Sequence, residues 1–284
     1  MHPLTSPKYL KELLNRHGFH FSKSLGQNFL IDENILQKII KGADISPHDK
    51  VLEIGPGVGT LTSAIARQGA EVVAVELDRD LLPILEETLE EYSNTKVIHG
   101  DILKLDLDQL LQDNFQDVPF KVVANLPYYI TTPIIMRFLE EELSYTSITV
   151  MIQKEVAQRM AAQPDSKEYG SLSIAVQFYT EPRIIGKVPA GVFMPQPKVD
   201  SMIITLKKRS KPAVNVNSSI RFFQVVKAVF AQRRKTLLNT LNAAEISEMN
   251  KAELGSLLSS LNIDPQRRGE TLSLEELALI SNSI

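Results

Sequence analysis

Asn125-Leu126-Pro127-Tyr128 brings together residue types that can do one specific piece of chemistry. An exocyclic amine on an aromatic ring is a poor nucleophile because its lone pair is delocalised. The Asn125 side-chain oxygen and the Leu126 carbonyl can each accept one hydrogen of such an amine. That would localise the lone pair towards an electrophile and stabilise charge growing on nitrogen. Pro127 restricts Leu126 to an extended conformation, which can aim its carbonyl outward. Tyr128 offers a face on which an extruded base can stack. None of the four is a strong acid, base or nucleophile, so the chemistry they suit is orientation rather than proton abstraction. An isolated N-x-P-Y would be no more than a strand-end turn with a buried tyrosine.

A second constellation lies upstream. Glu53-Ile54-Gly55-Pro56-Gly57-Val58-Gly59 follows an apolar run and precedes a helix-length segment. Glycines there let the backbone turn tightly and approach a ligand. Glu76 ends the next apolar run and can accept two hydrogen bonds from a ribose diol. Asp101 follows the third run and Asn125 ends the fourth. Four polar groups at the ends of successive parallel strands converge on one crevice, where open α/β sheets bind ligands. Two nucleoside cofactors compete for it. NAD prefers G-x-G-x-x-G, so that its pyrophosphate rests on the helix; this chain has G-x-G-x-G with Pro56 between the first two glycines. The E-I-G-P-G-x-G form resembles the first motif of class I methyltransferases, whose cofactor S-adenosylmethionine carries no phosphate. That resemblance implies that Glu76 holds the ribose, Asp101 faces the adenine amine and Gly55 lies beside the methionine part.

Elements of a particular kind must position these groups. Short apolar runs alternate with helix-length segments from Lys50: strands at 51–54, 72–75, 96–99, 121–124 and 148–152, with helices at 61–67, 81–92 and about 133–142. This predicts right-handed crossovers and an α/β fold, a Rossmann-like, mainly parallel sheet with helices on both faces. Segments 183–188 and 199–206 are expected to close it, antiparallel. A helix at 7–16 and another capped by Asp32 precede the sheet as an N-terminal extension over residues 1–45. Residues 1–207 are thus expected to form the catalytic domain and 208–217 a polar linker. Residues 218–284 should form a small all-α domain, with Ser273 and Glu276 spaced as a capping box.

Composition narrows the function classes. The chain has 284 residues, no cysteine and a net charge of -3. Without cysteine there are no disulfides, thiolate nucleophiles or cysteine zinc sites, which suits a reducing cytoplasm. The five histidines lack ligand-like spacing, so no metal is expected. No apolar run is long enough to span a bilayer, so no membrane partner is expected. From Glu71 to Asp117 there are thirteen acidic and three basic residues, whereas Arg183 to Thr240 holds twelve basic residues against Asp200 alone. That imbalance points to a polyanionic partner. Arg233-Arg234-Lys235 is the candidate phosphate contact, though structural salt bridges would use the same residue types; Arg267-Arg268 is a weaker candidate.

Taken together, the motifs resemble the ribosomal RNA adenine N6-dimethyltransferase family. In order they are S-L-G-Q-N-F-L at Ser24 to Leu30, E-I-G-P-G-V-G-T at Glu53 to Thr60, V-A-V-E-L-D at Val73 to Asp78 and Gly100-Asp101. N-L-P-Y-Y-I-T-T-P-I at Asn125 to Ile134, F-M-P-Q-P-K-V-D-S at Phe193 to Ser201 and F-A-Q-R-R-K-T-L at Phe230 to Leu237 complete the set. The resemblance is strongest to the bacterial small-subunit branch. It implies dimethylation of two adjacent adenosines in a 3′-terminal hairpin loop of 16S rRNA in the 30S subunit, with a role in 30S biogenesis. It implies S-adenosylmethionine bound by Asn28, Leu30, Gly55, Gly57, Glu76, Asp101 and Asn125, with S-adenosylhomocysteine as product. It also implies a reacting centre of Asn125, Leu126, Pro127 and Tyr128, with Phe193 closing the opposite side of a flipped base. The sister branch, which methylates a large-subunit adenine and confers macrolide resistance, differs around Pro-Gln-Pro-Lys and Arg-Arg-Lys. A nucleic-acid-binding assembly factor on the same fold would share the basic segment without needing an intact Asn125 and Tyr128. A small-molecule methyltransferase would need neither the basic segment nor the helical appendage. Nothing in the sequence calls for an obligate assembly, and a cytoplasmic monomer is the expectation.

Overall fold

A computed structural model describes residues 3–22 and 25–284. Ser24, which opens the S-L-G-Q-N-F-L motif, lies outside the described residues. The elements that build the first part are α1 (Pro7–Arg16), β1 (Phe29–Leu30), α2 (Glu33–Gly42), β2 (Lys50–Ile54), α3 (Thr60–Ala66), β3 (Glu71–Glu76) and α4 (Leu82–Leu89). They continue with β4 (Thr95–His99), α5 (Leu107–Phe115), β5 (Phe120–Asn125), α6 (Thr131–Glu140), β6 (Tyr145–Gln153) and α7 (Lys154–Met160). Then come α8 (Ser171–Tyr179), β7 (Thr180–Val188), β8 (Phe193–Met194), β9 (Ser201–Lys208), α9 (Ser219–Phe230), α10 (Leu237–Ala243), α11 (Lys251–Ser260) and α12 (Leu274–Ser283).

The expected α/β class holds. A seven-stranded sheet runs β4-β3-β2-β5-β6-β9-β7. The five strands from β4 to β6 are mutually parallel, and β9 runs antiparallel beside β6. The chain leaves β2 for β3 and β4 on one side and returns to β5 and β6 on the other. That reversal opens a crevice at the carboxyl ends of β2 and β5. Register makes those ends level, with Ile54 beside both Val75 and Ala124, and Glu76 beside His99. The inner strands β2, β3 and β5 are apolar nearly throughout, as burial on both faces requires. One buried cluster joins Ile35, Leu36, Ile39 and Ile40 of α2 to Ile65 of α3, Val123 of β5 and Ile203 of β9.

Local chemistry explains the helix starts. Asp32 accepts the Ile35 N–H at 2.9 Å and Asp106 accepts the Gln109 N–H at 3.1 Å, each satisfying a first-turn donor. Ser273 and Glu276 form the expected capping box at α12. The sequence pattern does not predict α5, α7 or α8. In α8 Leu172, Ile174, Ala175, Val176 and Phe178 are all buried, so its apolar residues wrap the helix and leave no one-sided period to recognise.

The boundary between the two parts also differs from the expectation. The chain divides into one compact unit of Met1–Ala157 with Arg183–Lys208, and a second of Gln158–Pro182 with Arg209–Ile284. Residues 158–182, expected within the catalytic domain, instead share a core with the C-terminal helices. Phe178 stacks on Phe222 with centroids 4.9 Å apart, Tyr179 stacks on Phe223 at 5.8 Å, and the Tyr169 hydroxyl donates to the Leu272 carbonyl at 2.9 Å. Segment 208–217 is no free linker either. Arg209 and Ala213 donate their N–H groups to Tyr179 and Phe178 at 3.0 and 2.9 Å, and Val214 and Val216 pack on the helical core. Phe178 is 1% exposed. Phe178→Ala should therefore destabilise the helical unit by about 3–5 kcal/mol, the usual cost of emptying a buried phenylalanine site. Denaturant unfolding measures this, and a loss below about 1 kcal/mol would contradict the shared core.

Candidate active site at the strand ends

The turn after β2 supplies the floor of the site. Gly57 has φ +61°, and a Cβ there would sit 3.0 Å from the Phe29 ring, so both conformation and space demand glycine. Its N–H donates to Glu76 Oε2 at 3.2 Å, while Glu76 Oε1 accepts the Asp78 N–H at 2.8 Å. Burial pushes the Glu76 carboxyl above its ordinary range, and these two backbone donors work against that.

A strap from the N-terminal extension crosses the same crevice. Gln27 accepts the Ser22 N–H at 2.9 Å and donates to Asp78 at 2.5 Å. Asn28 donates to the Gly26 carbonyl at 2.9 Å and offers its own carbonyl to the Asn125 amide NH2 at 3.0 Å. β1 then pairs antiparallel with β8, Phe29 opposite Met194 and Leu30 opposite Phe193. A two-residue strand thereby ties the strap to the far side of the cavity.

The Asn125 amide is thus fixed end for end: its NH2 is occupied, which leaves Oδ1 as the free acceptor. The Leu126 N–H donates to the Met151 carbonyl at 3.1 Å, and no described residue donates to the Leu126 carbonyl. Pro127 accepts the Ile130 N–H at 3.3 Å and the Thr131 hydroxyl at 3.1 Å, closing the turn into α6. The Tyr128 hydroxyl lies 2.9 Å from the buried Ser201 hydroxyl, which sets its ring, and burial raises its pKa.

Asn28, Leu30, Gly55, Gly57, Glu76, Asp101, Asn125, Leu126, Pro127, Tyr128 and Phe193, the eleven cofactor and reacting-centre candidates, all line a single cavity. Asp101 also accepts the Leu103 N–H at 3.0 Å and pairs with Lys104 at 3.4 Å. Arg137 of α6 braces the loop behind it by donating to the Ile102 and Leu105 carbonyls. Phe193 differs from its expected presentation. It is 4% exposed and packed in the core with Leu30, so it is a back wall and shows little ring to stack upon. Tyr129 is the exposed aromatic, 54% accessible, against Gly26 and the cavity. Its position directly after Tyr128 is the sequence signal that could have found it.

Glu53 stands out in the sequence only as part of the glycine motif, yet it is the most deeply buried carboxyl lining the cavity. It is 1% exposed, and its Oε2 has no hydrogen-bond partner. The Thr60 hydroxyl of α3 is likewise buried without a partner. Burial pushes the Glu53 carboxyl up to about 8; the nearby Thr62 hydroxyl opposes that rise and the Glu76 charge adds to it. Lysine, arginine and histidine are absent among the described residues lining the cavity, whereas Glu53, Glu76 and Asp101 are present.

Part of the basic segment is engaged within the protein. Lys187 pairs with Asp200 at 2.8 Å, Arg209 with Glu181 at 3.0 Å, and Lys208 donates to the Leu143 carbonyl. Arg233 lies in the turn between α9 and α10, not on a helix. It donates to the Lys167 and Tyr169 carbonyls and pairs with Glu270 at 3.6 Å. Arg234 and Lys235 in that turn are exposed. Arg267 is held by Glu276. Among the described residues no group of acidic or histidine side chains is arranged to hold a metal, and no helix is long and apolar enough to cross a membrane.

Comparison with known proteins accounts for this arrangement. The family described as ribosomal RNA adenine dimethylase matches residues 18–279. The chain belongs to this family. Its curated relatives include the ribosomal RNA small subunit methyltransferase A of Alkaliphilus metalliredigens, 52% identical over 100% of this chain and 99% of the relative. The protein of the same name from Bacillus licheniformis is 54% identical over 99% of this chain and 97% of its own. Among solved structures, a dimethyladenosine transferase from Plasmodium falciparum superposes with TM-score 0.73 at 26% identity, covering 88% of this chain and 95% of the other. The 23S rRNA methyltransferase ErmE superposes with TM-score 0.69 at 25% identity, over 89% and 98%. The chain is therefore a methyltransferase of the rRNA adenine dimethylase family on a Rossmann-like sheet.

Glu53 gives a sign-specific expectation. Between its ordinary pKa of 4.5 and about 8, the folded chain keeps a proton that the unfolded chain has released, so stability falls as pH rises through that window. Glu53→Gln removes the titration. The variant should match the wild type near pH 4 and gain on it progressively up to about pH 8, by on the order of a few kcal/mol. Unfolding at a series of pH values tests this; a stability difference that does not vary with pH would contradict it.

Proposed function

We propose that this chain transfers methyl groups from S-adenosylmethionine to the N6 amines of two adjacent adenosines in the 3′-terminal hairpin loop of 16S rRNA, two to each. The observation that carries the chemistry is the Asn125 amide, whose NH2 is held by the Asn28 carbonyl. The free end is an acceptor, and the Leu126 carbonyl beside it is a second. A primary aromatic amine has two hydrogens to give, and a ring with its own acceptor edge would meet repulsion here.

The cavity suits the cofactor. Its lining has three carboxyl groups and no cationic side chain among the described residues, which fits a ligand that is cationic overall and opposes a pyrophosphate. Gly57 allows close approach at the floor, and Glu76 keeps acceptor capacity on both carboxylate oxygens for a ribose diol. We assign Asp101 to the adenine amine, and Asn28, Leu30 and Gly55 to the remaining walls. When bound, the cofactor supplies a methyl group already activated by its sulfonium.

The protein's task is then orientation. Asn125 Oδ1 and the Leu126 carbonyl take the two N6 hydrogens and turn the nitrogen lone pair towards the methyl. As positive charge grows on nitrogen, both acceptors bind it more tightly, which favours the transition state over the ground state. Tyr128, fixed through Ser201, supplies a stacking face, Tyr129 an exposed second one, and Phe193 the rear wall.

The small-subunit target is favoured by full-length relatives at 52–54% identity that carry that name. The 23S rRNA enzyme aligns at 25%. The partner is then 16S rRNA within the 30S particle, and the compartment is the cytoplasm where that particle assembles. Arg234 and Lys235 are the basic-turn residues we assign to phosphate contact, with Arg233 shaping the turn, and the chain acts as a monomer with no metal. Radiolabelled methyl transfer onto 30S particles, 50S particles and naked rRNA tests the assignment. Dimethyladenosine should appear in 30S material alone, and label confined to 50S particles would overturn it. On the 30S substrate Asn125→Ala should lose at least about 10²–10³-fold in rate, the size of one transition-state hydrogen bond, while still binding RNA. Near-normal turnover in that variant would refute the orientation mechanism.

A further inference from the structure

We propose that Glu53 holds a proton in the unloaded cavity and releases it when the cationic cofactor binds, so that the site senses the one charge by which S-adenosylmethionine differs from its demethylated product. This rests on the cofactor assignment above, where Glu53 counts only as one of the cavity's three carboxyl groups, and gives that residue a part of its own.

The geometry begins with register. Glu53 of β2 sits opposite Ala74 of β3, and Glu76 lies two residues further along β3. Paired residues share a face and side chains alternate with period two, so the two carboxyls project from the same face of adjacent strands. Both are buried at the wall of one cavity. Two like charges so placed, with no cation lining that cavity among the described residues, cannot both be kept cheaply.

Hydrogen bonding decides which one keeps the proton. Glu76 has a backbone N–H on each carboxylate oxygen, from Gly57 and Asp78, and is the member equipped to stay ionised. Glu53 has an unpartnered, fully buried Oε2. Its surroundings are otherwise uncharged. From α3 comes the Thr62 hydroxyl, from β5 its register partner is Val123, and the charged group that acts on it is Glu76 of β3. A neutral carboxyl is the form this environment favours, and the direction of its pKa shift agrees.

A cationic ligand reverses the balance. Its field favours the carboxylate, and the proton leaves to solvent as the ligand enters. The product has lost the sulfonium charge with the methyl group and provides less of that field, so Glu53 reprotonates with the product still in place. The carboxyl pair thereby favours substrate over product, the direction a transferase making several transfers requires.

Titration calorimetry of the intact wild-type protein at about pH 7 tests this, using S-adenosylmethionine and S-adenosylhomocysteine in phosphate and in Tris, two buffers of very different ionisation enthalpy. The expected result is release of roughly one proton per S-adenosylmethionine bound, and much less for the product. Glu53→Gln, which keeps the shape of the neutral carboxyl, should abolish the release and narrow the preference for substrate over product. The wild type gives a second, variant-free readout: its affinity for S-adenosylmethionine should rise as pH climbs towards about 8 and then level, while the product's stays nearly flat. Buffer-independent heats with tight binding, or equal release for both ligands, would overturn the proton proposal alone. Failure of S-adenosylmethionine to bind would instead overturn the cofactor assignment beneath it.

Discussion

The hydrogen bond from the Asn125 amide to the Asn28 carbonyl, 3.0 Å long, joins the two halves of the site. One partner ends the central strand β5; the other belongs to a strap far earlier in the chain. An asparagine amide has a donor end and an acceptor end that are nearly the same shape, so orientation must be imposed from outside. Here a backbone carbonyl imposes it, and the free Oδ1 then makes the centre an acceptor pair with the Leu126 carbonyl. The strap is itself held at both ends, by Gln27 on Asp78 and by the pairing of β1 with β8. The segment that covers the cofactor cavity is thus the same one that orients the amine-binding amide.

The sheet makes this possible. Parallel strands in level register end together, and the reversal at β2 leaves their last residues around an open crevice. Carboxyl groups placed there are drawn out of water, and the fold treats each differently. Glu76 receives backbone donors, Asp101 keeps partial access and a lysine, and Glu53 receives neither. Glu53 and Glu76, two groups of one residue type, are thereby given different hydrogen-bonding surroundings by position alone.

Much of this is legible in the sequence because it depends on local chemistry. Strand β2 with its glycine turn, the acidic strand ends at Glu76 and Asp101, and the N-L-P-Y turn all follow from short-range pattern and backbone sterics. The helix at Pro7–Arg16 and the caps at Asp32 and Ser273 are legible for the same reason. Non-local facts are not. No spacing reveals that Asn28 reaches Asn125, that Glu53 faces Glu76, or that residues 158–182 leave the first unit to stack Phe178 on Phe222. Nor does a count of charges show which are spent. The run of basic residues from Arg183 to Thr240 reads as one polyanion-binding stretch, yet Lys187, Arg209 and Arg233 are each committed to an acidic neighbour. Phe193 illustrates the same limit, since the resemblance gives it the far side of a flipped base while pairing with Leu30 buries it.

The central claim is that the reacting centre is a fixed pair of acceptors, and a crystal structure with a bisubstrate analogue, adenosine joined through N6 to the cofactor's sulfur position, tests it most directly. The analogue keeps one N6 hydrogen. This hydrogen should bond to Asn125 Oδ1 or the Leu126 carbonyl, with N6 about 2.7–3.2 Å from the acceptor. N6 should lie beside both acceptors, with the Asn125 NH2 still on the Asn28 carbonyl. An Asn125 amide turned so that its NH2 faces the adenine, with the bond to Asn28 broken, would contradict it.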